Sequence, residues 1–291
     1  MAGTVLYEKF IRAYLQAEVR IIAEEAGWSV SKFGDIMCKS SATIKAWLGE
    51  ERLPDLGNMS LICDRGRVDP DRKKFIMHVR EQLLTGSEMV SNLDERAMYI
   101  VEASERNYKT FVKWDPVLLP ALVQTEAFHM ALPLNPKEDP ANKVKNWKRK
   151  EKRQKTFFGR IGSKHSPTAE FFLPSSIFGI IDRLPSGDRE AQLTRLLEVD
   201  AMPGCEVLVV RTPQVVQYAF DSFKGEGLPG AGPDFVYVET WDQSRHVVEP
   251  DNLALYDRGR SLLRADSQEI GRWLDGGVHQ LAEEHTEQQH S

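Results

Sequence analysis

The chain has 291 residues, of which 41% are hydrophobic, and a formal net charge of −5. This length and composition exclude wholesale disorder and predict two domains, or one domain with an appendage. No apolar run approaches the roughly 18 residues that span a bilayer, and the N-terminus lacks the apolar segment of a secretory signal, so no membrane association is expected.

The first part of the chain predicts five short helices. Apolar residues spaced by threes and fours indicate a helix over 5–26, and Gly27 is typical of a residue that ends one. Ser29 or Ser31 can cap a second helix that runs to about Met37, and Ser40 can cap a third that ends near Gly49. Two more helices are expected over 56–65 and 71–84, so residues 1–86 should form an all-α domain.

The remainder, residues 87–282, predicts a mixed α+β domain. Residues 94–132 are expected to be mostly helical, with breaks at Pro116 and Pro120, and residues 141–159 to form a basic helix. The runs "TAEFFL", "CEVLVVR", "FVYVETW" and "RHVVEP" predict strands, with "FKGEGLPGAGPD" as a loop between two of them. Helices are expected over about 251–265 and 267–283, and residues 283–291 should form a frayed tail. The predicted fold class is α+β.

Residues 30–49 have the pattern of a helix-turn-helix. Phe33 and Met37 would share one face of the first helix, with Gly34 where the second helix crosses. Ile44, Trp47 and Leu48 would form the inward stripe of the second helix. The alternative is a helical hairpin without any role on DNA, since Cys38 stands at the turn position where glycine is usual.

The opposite face of the second helix is the candidate DNA-reading surface, because the N-terminal part of this helix enters the major groove in such motifs. Lys45 can donate to guanine, whereas alanine can contact only a thymine methyl group. The candidate base-reading residues are Ser41, Ala42, Thr43, Lys45 and Ala46. The candidate phosphate-binding residues that flank them are Lys32, Lys39, Ser40 and Arg52.

Charge is distributed unevenly along the chain. Residues 1–85 carry a balance of +1, residues 86–170 of +4 and residues 171–291 of −10, so nucleic-acid contacts should come from the first 160 residues or so. The segment 143–155 has eight basic residues and one acidic residue. It is either a solvated helix face, docked through Trp147, or an auxiliary phosphate-binding arm. The candidate residues of such an arm are Lys148, Arg149, Lys150 and Lys152.

Two polar groups are candidates for binding a partner or an effector. Gln124, Thr125 and Glu126 follow an apolar run, and they either begin a helix that Thr125 caps or line a pocket. Tyr237 and Glu239 would alternate on one face of a strand and could belong to the same pocket.

The segment "AEVRIIAEEAGWSVSKFGDIMCKSSATIKAWLGEERLPD" resembles the Xre/Cro-type helix-turn-helix. "KWDPVLLPALVQTEAFHMAL", residues 113–132, is similar to a signature of actinobacterial regulators of the WhiJ-like, Scr1-antitoxin-like family, with Ala121 in place of the usual glycine. "FVYVET" and "CEVLVV" also match. The resemblance implies a homodimeric transcriptional regulator that binds a double-stranded DNA operator. It also implies a small partner protein encoded nearby, and a link to development and antibiotic production.

No catalytic residues, metal site or cofactor are expected. Cys38, Cys63 and Cys205 lack the spacing of a zinc site or a disulfide framework, the histidines lack ligand spacing, and no phosphate-binding loop is present. A reducing, bacterial-type cytoplasm is the expected setting. The expected function is sequence-specific DNA binding by a transcriptional regulator, not catalysis. The alternative is an antitoxin-like protein-interaction module with a weakened helix-turn-helix.

Overall fold

The structure is a computed structural model that describes residues 2–49, 51–85, 91–92, 98–132, 139–212, 215–240 and 243–276. The fold is α+β, as expected from the sequence. Its helices are α1 Ala2–Glu25, α2 Val30–Met37, α3 Ser41–Leu48, α4 Leu56–Arg65, α5 Pro70–Thr85, α6 Met98–Asn107, α7 Glu126–Ala131, α8 Pro140–Phe158, α9 Phe178–Ile181, α10 Ser186–Asp200 and α11 Pro250–Ala265. Its strands are β1 Ser91–Asn92, β2 Thr110–Trp114, β3 Thr168–Pro174, β4 Cys205–Val210, β5 Phe220–Lys224, β6 Phe235–Glu239, β7 Gln243–Val247 and β8 Ser267–Glu269.

The chain forms two compact units. The first unit comprises Met1–Thr110 and Ser222–Leu253, and the second comprises Phe111–Asp221 and Ala254–Ser291. The first unit therefore contains segment 222–253 in addition to the N-terminal helices. The division expected from the sequence, with domains 1–86 and 87–282, places this segment with the second domain and stays a prediction. The expected tail, 283–291, lies outside the described residues.

The five N-terminal helices are confirmed, and α3, α4 and α5 pack against α1, while α2 packs against α3 and α4. Leu15, Val19 and Ile22 are buried and share one face of α1, whereas Phe10 is buried on the opposite face of this helix. Gly27 follows it with a φ of +63°, which is the left-handed backbone expected of a helix-ending glycine.

Strands β6 and β7 form a hairpin in the first unit, and this hairpin packs against α1. Strand order in this unit is β1-β7-β6-β5, and β6 and β7 are antiparallel with Tyr237 opposite His246. The loop between β5 and β6 approaches α1 so closely that a Cβ atom on Gly232 would lie 2.7 Å from the Cβ of Ala13. The Tyr108 hydroxyl donates to the carbonyl oxygen of Pro233 at 2.8 Å and holds the same loop.

The second unit is built on strands in the order β2-β3-β4-β8. β3 and β4 are parallel, so the chain must cross over between them, and α9 and α10 form this crossover. β4 and β8 are antiparallel. Glu170 on β3 accepts hydrogen bonds from Arg260 at 2.7 Å and from Arg264 at 2.6 Å, which ties α11 to the strands.

Several expectations about secondary structure were wrong or incomplete. Residues 110–114 form β2 rather than helix, because "TFVKW" is rich in β-branched and aromatic residues and is almost wholly buried. Helix α10 and strand β5 were missed, and β8 separates α11 from the helical residues 270–276. The basic helix is confirmed as α8, and β3, β4, β6 and β7 are the four strands expected from the sequence.

Candidate nucleic-acid interface

Helices α2 and α3 begin at the serines that the sequence indicated. The Ser29 hydroxyl accepts a hydrogen bond from the backbone N–H of Lys32 at 3.2 Å. The Ser40 hydroxyl accepts one from the backbone N–H of Thr43, also at 3.2 Å. Each cap satisfies a donor that the first turn of a helix otherwise leaves without a partner. The second and third helices expected from the sequence are therefore confirmed, and Ser29 rather than Ser31 caps the second.

The inner faces of the two helices contain the apolar residues that were expected there. Phe33 and Met37 of α2 are buried, as are Ile44 and Trp47 of α3. The rings of Phe33 and Trp47 lie 6.1 Å apart, which joins the two helices directly. Leu48, expected in the same stripe, is half-buried.

The turn between the helices is tight. Cys38 has a φ of +52°, in the left-handed region that favours glycine. The backbone N–H of Lys39 donates to the carbonyl oxygen of Gly34 at 2.9 Å. A Cβ atom on Gly34 would lie 2.9 Å from the carbonyl oxygen of Lys39, so this position requires glycine. The sequence predicted a small residue here because the second helix crosses at this point. In the structure, the atom closest to such a Cβ belongs to the backbone of the turn, and α3 is the next neighbour.

The outer face of α3 is open to solvent. Ser41, Ala42 and Lys45 are exposed, and Thr43 and Ala46 are half-buried on the flanks. All five candidate base-reading residues thus lie on or beside the face that points away from the Ile44–Trp47 stripe. Their contact with DNA stays a prediction.

The candidate phosphate-binding residues surround this face. Lys32, Lys39, Ser40 and Arg52 are all exposed. Exposed acids lie in the same region, among them Asp55, whose pKa is lowered by hydrogen bonds from the backbone and side chain of Asn58. Because such acids offset part of the positive charge, electrostatic attraction of DNA by this surface should be modest.

The four candidate arm residues lie on helix α8 of the second unit and fall into two pairs that differ in solvent exposure. Lys148 and Lys152 are exposed, whereas Arg149 and Lys150 are half-buried. The Lys150 ammonium donates to Gln124 Oε1 at 2.8 Å and lies 3.1 Å from Nδ1 of His129. Lys150 therefore stabilises the unit internally, and only Lys148 and Lys152 of the four are presented to solvent.

The polar segment after the apolar run is largely structural. Gln124 is 4% exposed, and its Nε2 donates to the carbonyl oxygen of Leu119 at 2.6 Å. The Thr125 hydroxyl caps α7 by accepting from the backbone N–H of Phe128 at 3.3 Å. Glu126 is the exposed residue of the three. The side chains of Gln124 and Thr125 are thus already hydrogen-bonded within the protein, and the helix-capping alternative holds for Thr125.

Tyr237 and Glu239 are hydrogen-bonded to each other in the first unit. The Tyr237 hydroxyl donates to Glu239 Oε2 at 3.0 Å, which confirms that the two side chains share a face of β6. Tyr237 is buried and Glu239 is half-buried. Gln124, Thr125 and Glu126 belong to the second unit, so a pocket common to all five residues stays a prediction.

Residues 101–269 match a family described as a domain of unknown function, DUF5753. This match covers more than half of the chain. The chain belongs to the DUF5753 family. No curated protein and no solved structure matches it.

The DUF5753 region holds its 120–126 segment through two glutamines that sequence reasoning missed. Gln154 of α8 donates from Nε2 to the carbonyl oxygens of Ala121 at 3.0 Å and Gln124 at 2.9 Å. Gln192 of α10 donates to the carbonyl oxygen of Val123 at 2.9 Å. Gln192 stands four residues before Leu196, so the two residues share one face of α10. A polar residue on the apolar face of a helix was the signal for a buried amide.

Two features are absent from the described part of the chain. No three His, Cys, Asp or Glu side chains there are grouped so that they could hold a metal ion. No helix there has both the length and the apolar character that crossing a membrane requires.

Proposed function

We propose that this DUF5753 protein is a sequence-specific DNA-binding transcriptional regulator that reads its operator with α3. The observation that carries the proposal is the exposed face of Ser41, Ala42 and Lys45 on a capped helix. The inner face of that helix is fixed by Ile44 and Trp47. A rigid helix with a small, open outer face can enter a major groove without obstruction. The resemblance to Xre/Cro-type and WhiJ-like regulators is part of this proposal.

Lys45 supplies the main hydrogen bond to a base in this proposal. It is the basic residue at the centre of the exposed α3 face, and a lysine there can donate to the acceptors of guanine. Ala42 and Ala46 favour thymine through its methyl group, so direct readout is sparse. The remaining selectivity comes from half-site spacing and the deformability of DNA.

A binding-site selection on the full chain tests the proposal. Lys45→Ala should cost on the order of 1–3 kcal/mol of binding free energy and relax the preference at one base pair per half-site. Lys39→Ala and Arg52→Ala serve as matched controls, because they should weaken binding without changing the preferred sequence. Identical sequence preferences and equal affinities for wild type and Lys45→Ala would exclude α3 as the reading helix.

We also propose that the protein binds DNA as a homodimer. One recognition helix makes few contacts, and two half-sites about one helical turn apart would double them. Light scattering at micromolar concentration should give the mass of two 33.1 kDa chains. A monomer that retains tight operator binding would contradict this part of the proposal.

Partner binding is assigned to Glu126, an exposed carboxylate of the second unit. Because Gln124 and Thr125 are used internally, Glu126 is the residue of that segment that a small partner protein or effector can reach. Glu126→Ala should weaken capture of the small protein encoded nearby while the melting temperature stays constant. If the wild-type protein captures the partner but does not bind DNA at all, an antitoxin-like interaction module would be favoured instead.

A cytoplasmic setting is part of the same proposal. Cys38, Cys63 and Cys205 are free thiols. Burial raises the pKa of Cys63 to about 12 and that of Cys205 to about 11, so both stay protonated and unreactive near neutral pH. A reducing compartment would keep the exposed Cys38 in the same state.

A further inference from the structure

Helix α8 has an inward face whose polar and basic side chains are committed to the second unit. Trp147 is buried and stacks on His129 with ring centroids 5.8 Å apart. The Lys143 ammonium donates to the carbonyl oxygens of Met130 and Leu132, at 2.7 Å each, at the end of α7. Lys150 and Gln154 make further inward contacts, and Arg153 is buried as well.

The outward face of α8 carries four more lysines that form a continuous stripe. Lys145, Lys148, Lys152 and Lys155 are all exposed, and their spacing of three, four and three residues places them on one side of the helix. Lys155 pairs with Glu151 at 2.8 Å, yet its side chain is 73% exposed. These four residues are called the lysine stripe below.

The dimensions of the lysine stripe suit a phosphate backbone. Ten residues of α-helix rise roughly 15 Å, over which one strand of duplex DNA presents about four phosphates along its axis. Lysine side chains are long and mobile enough to adjust to the exact positions of the phosphates.

The chemistry of the helix favours nucleic acid over a lipid surface. Helices that lie on membranes insert an apolar face into the headgroup region. The aromatic face of α8, with Trp147 and Phe157, is buried within the second unit instead. What α8 offers to a partner is therefore positive charge, with the half-exposed Val144 as its one large apolar neighbour among the described exposed residues of the helix.

We infer that the lysine stripe is a second DNA-binding surface of this protein, which binds backbone phosphates without reading sequence. The inference rests on the proposed function, because the polyanion it names is the duplex that α3 reads. It assigns to the second unit a charge contribution that the nearly neutral N-terminal 85 residues lack. Compared with the auxiliary arm that the sequence left as one of two alternatives, the lysine stripe adds Lys145 and Lys155 and omits Arg149 and Lys150.

The test uses the full-length chain and compares the salt dependence of affinity for a duplex of random sequence. Log K falls as log salt rises. Replacing all four stripe lysines by Gln, which preserves helix propensity, should make this fall less steep, with a slope smaller in magnitude by about three to four. Replacing them by Arg should leave the slope unchanged, because the charge is kept.

A matched control removes four other exposed basic residues from the same unit, by Lys164→Gln, Arg183→Gln, Arg189→Gln and Arg258→Gln. This control changes the net charge equally but keeps the lysine stripe, so it should leave the slope within about one of the wild-type value. An equal loss of slope in the control and in the stripe variant would overturn the inference, since general charge would then explain both.

A second pair of variants separates this inference from the proposed function. Lys39→Gln with Arg52→Gln removes phosphate contacts beside α3, and it is measured with and without the stripe changes. If only the α3-side variant lowers the slope, the lysine stripe is not a DNA surface and the proposed function stands. If only the stripe variant lowers the slope, the lysine stripe is supported as a DNA-binding surface and α3 loses its assigned role. Stripe-dependent sedimentation with vesicles that contain phosphatidylserine, without any effect on DNA, would also overturn the inference in favour of a membrane surface.

Discussion

The ring of Phe10 in α1 lies 4.7 Å from the ring of Phe235 in β6, although the two residues stand near opposite ends of the sequence. Both are buried, and Phe235 also stacks on Phe223 of β5 at 4.5 Å. The unit that contains the candidate DNA-reading helix is therefore completed by a hairpin that follows it by more than a hundred residues. An isolated N-terminal fragment would expose the aromatic face of α1.

We expect Phe235→Ala to lower the free energy of unfolding of the first unit by about 3–5 kcal/mol, because it removes a large side chain from a closed aromatic cluster. Urea denaturation of the full chain measures this change. Leu84→Ala is the matched control, since Leu84 in the same unit is 65% exposed and its truncation should cost less than about 0.5 kcal/mol. Equal effects of the two variants would contradict the role given to the hairpin.

Gln192 provides a second test, in the DUF5753 region. It is fully buried, and its Oε1 accepts from the backbone N–H of Thr125 at 2.8 Å while its Nε2 donates to the carbonyl oxygen of Val123. Gln192→Leu leaves both of these buried groups without a partner, so we expect a loss of about 2–5 kcal/mol of stability. Glu190→Ala, at an exposed site on the same helix, should change the stability by less than about 0.5 kcal/mol in thermal melts.

Features fixed by local chemistry could be predicted from the sequence. Ser40 caps α3 as expected, Ser29 rather than Ser31 caps α2, and Thr125 caps α7, which was one of its two alternatives. A cap can be predicted because it depends on residues only two or three positions away. The apolar spacing in α2 and α3 likewise determined which face is outward. The outward position of Ser41, Ala42 and Lys45 could therefore be predicted, whereas their contact with DNA stays a prediction.

Features fixed by distant partners could not be predicted in this way. Gln124 was a candidate for partner binding because the residues that engage it, Lys150 and Gln154, follow it by more than 25 positions. The same limit applies to the hairpin at Phe235, whose contact with α1 has no trace in local spacing. Strand β2 was mistaken for helix because a short buried run has no distinctive period.

Arg72 and Glu18 form an ion pair that we expect to be essential to the first unit. Glu18 is 1% exposed, and Arg72 donates to its Oε2 at 2.6 Å and 3.1 Å. Arg72→Met should cost about 3–5 kcal/mol, because it leaves a buried carboxylate without its cation. Lys73→Met breaks the neighbouring, more exposed pair with Asp64 and should cost at most about 1 kcal/mol in the same urea titrations.

The cost of Arg72→Met should also depend on pH. Burial raises the pKa of Glu18, and removing Arg72 removes the main opposing influence. A carboxyl group whose pKa is higher in the folded than in the unfolded protein loses stability as the pH rises through the folded value. The penalty should therefore be smaller at pH 5 than at pH 7.5. A penalty that is constant over this range would mean that water or another cation replaces Arg72.

His246 should make the first unit sensitive to acid. Its ring lies among Phe10, Phe235 and Tyr237, and neither ring nitrogen has a hydrogen-bond partner in the part of the chain that is described. Burial lowers its pKa to about 3, whereas an unfolded chain titrates near 6.5. Because the unfolded state then binds the proton first, stability is complete above about pH 6.5 and falls progressively toward pH 3. At pH 4.5 the loss should be roughly 2–3 kcal/mol.

The measurement is the pH dependence of unfolding for wild type and His246→Leu, compared as a difference so that the other titrating groups cancel. Leucine keeps the site filled and apolar but cannot bind a proton, so the variant should lose less stability than wild type between pH 7.5 and 4.5. The two curves should separate progressively below about pH 6.5, where the unfolded histidine begins to charge. Parallel curves would show that the ring takes up its proton in the folded protein, and hence that its aromatic surroundings open at low pH or admit a hydrogen-bonding partner.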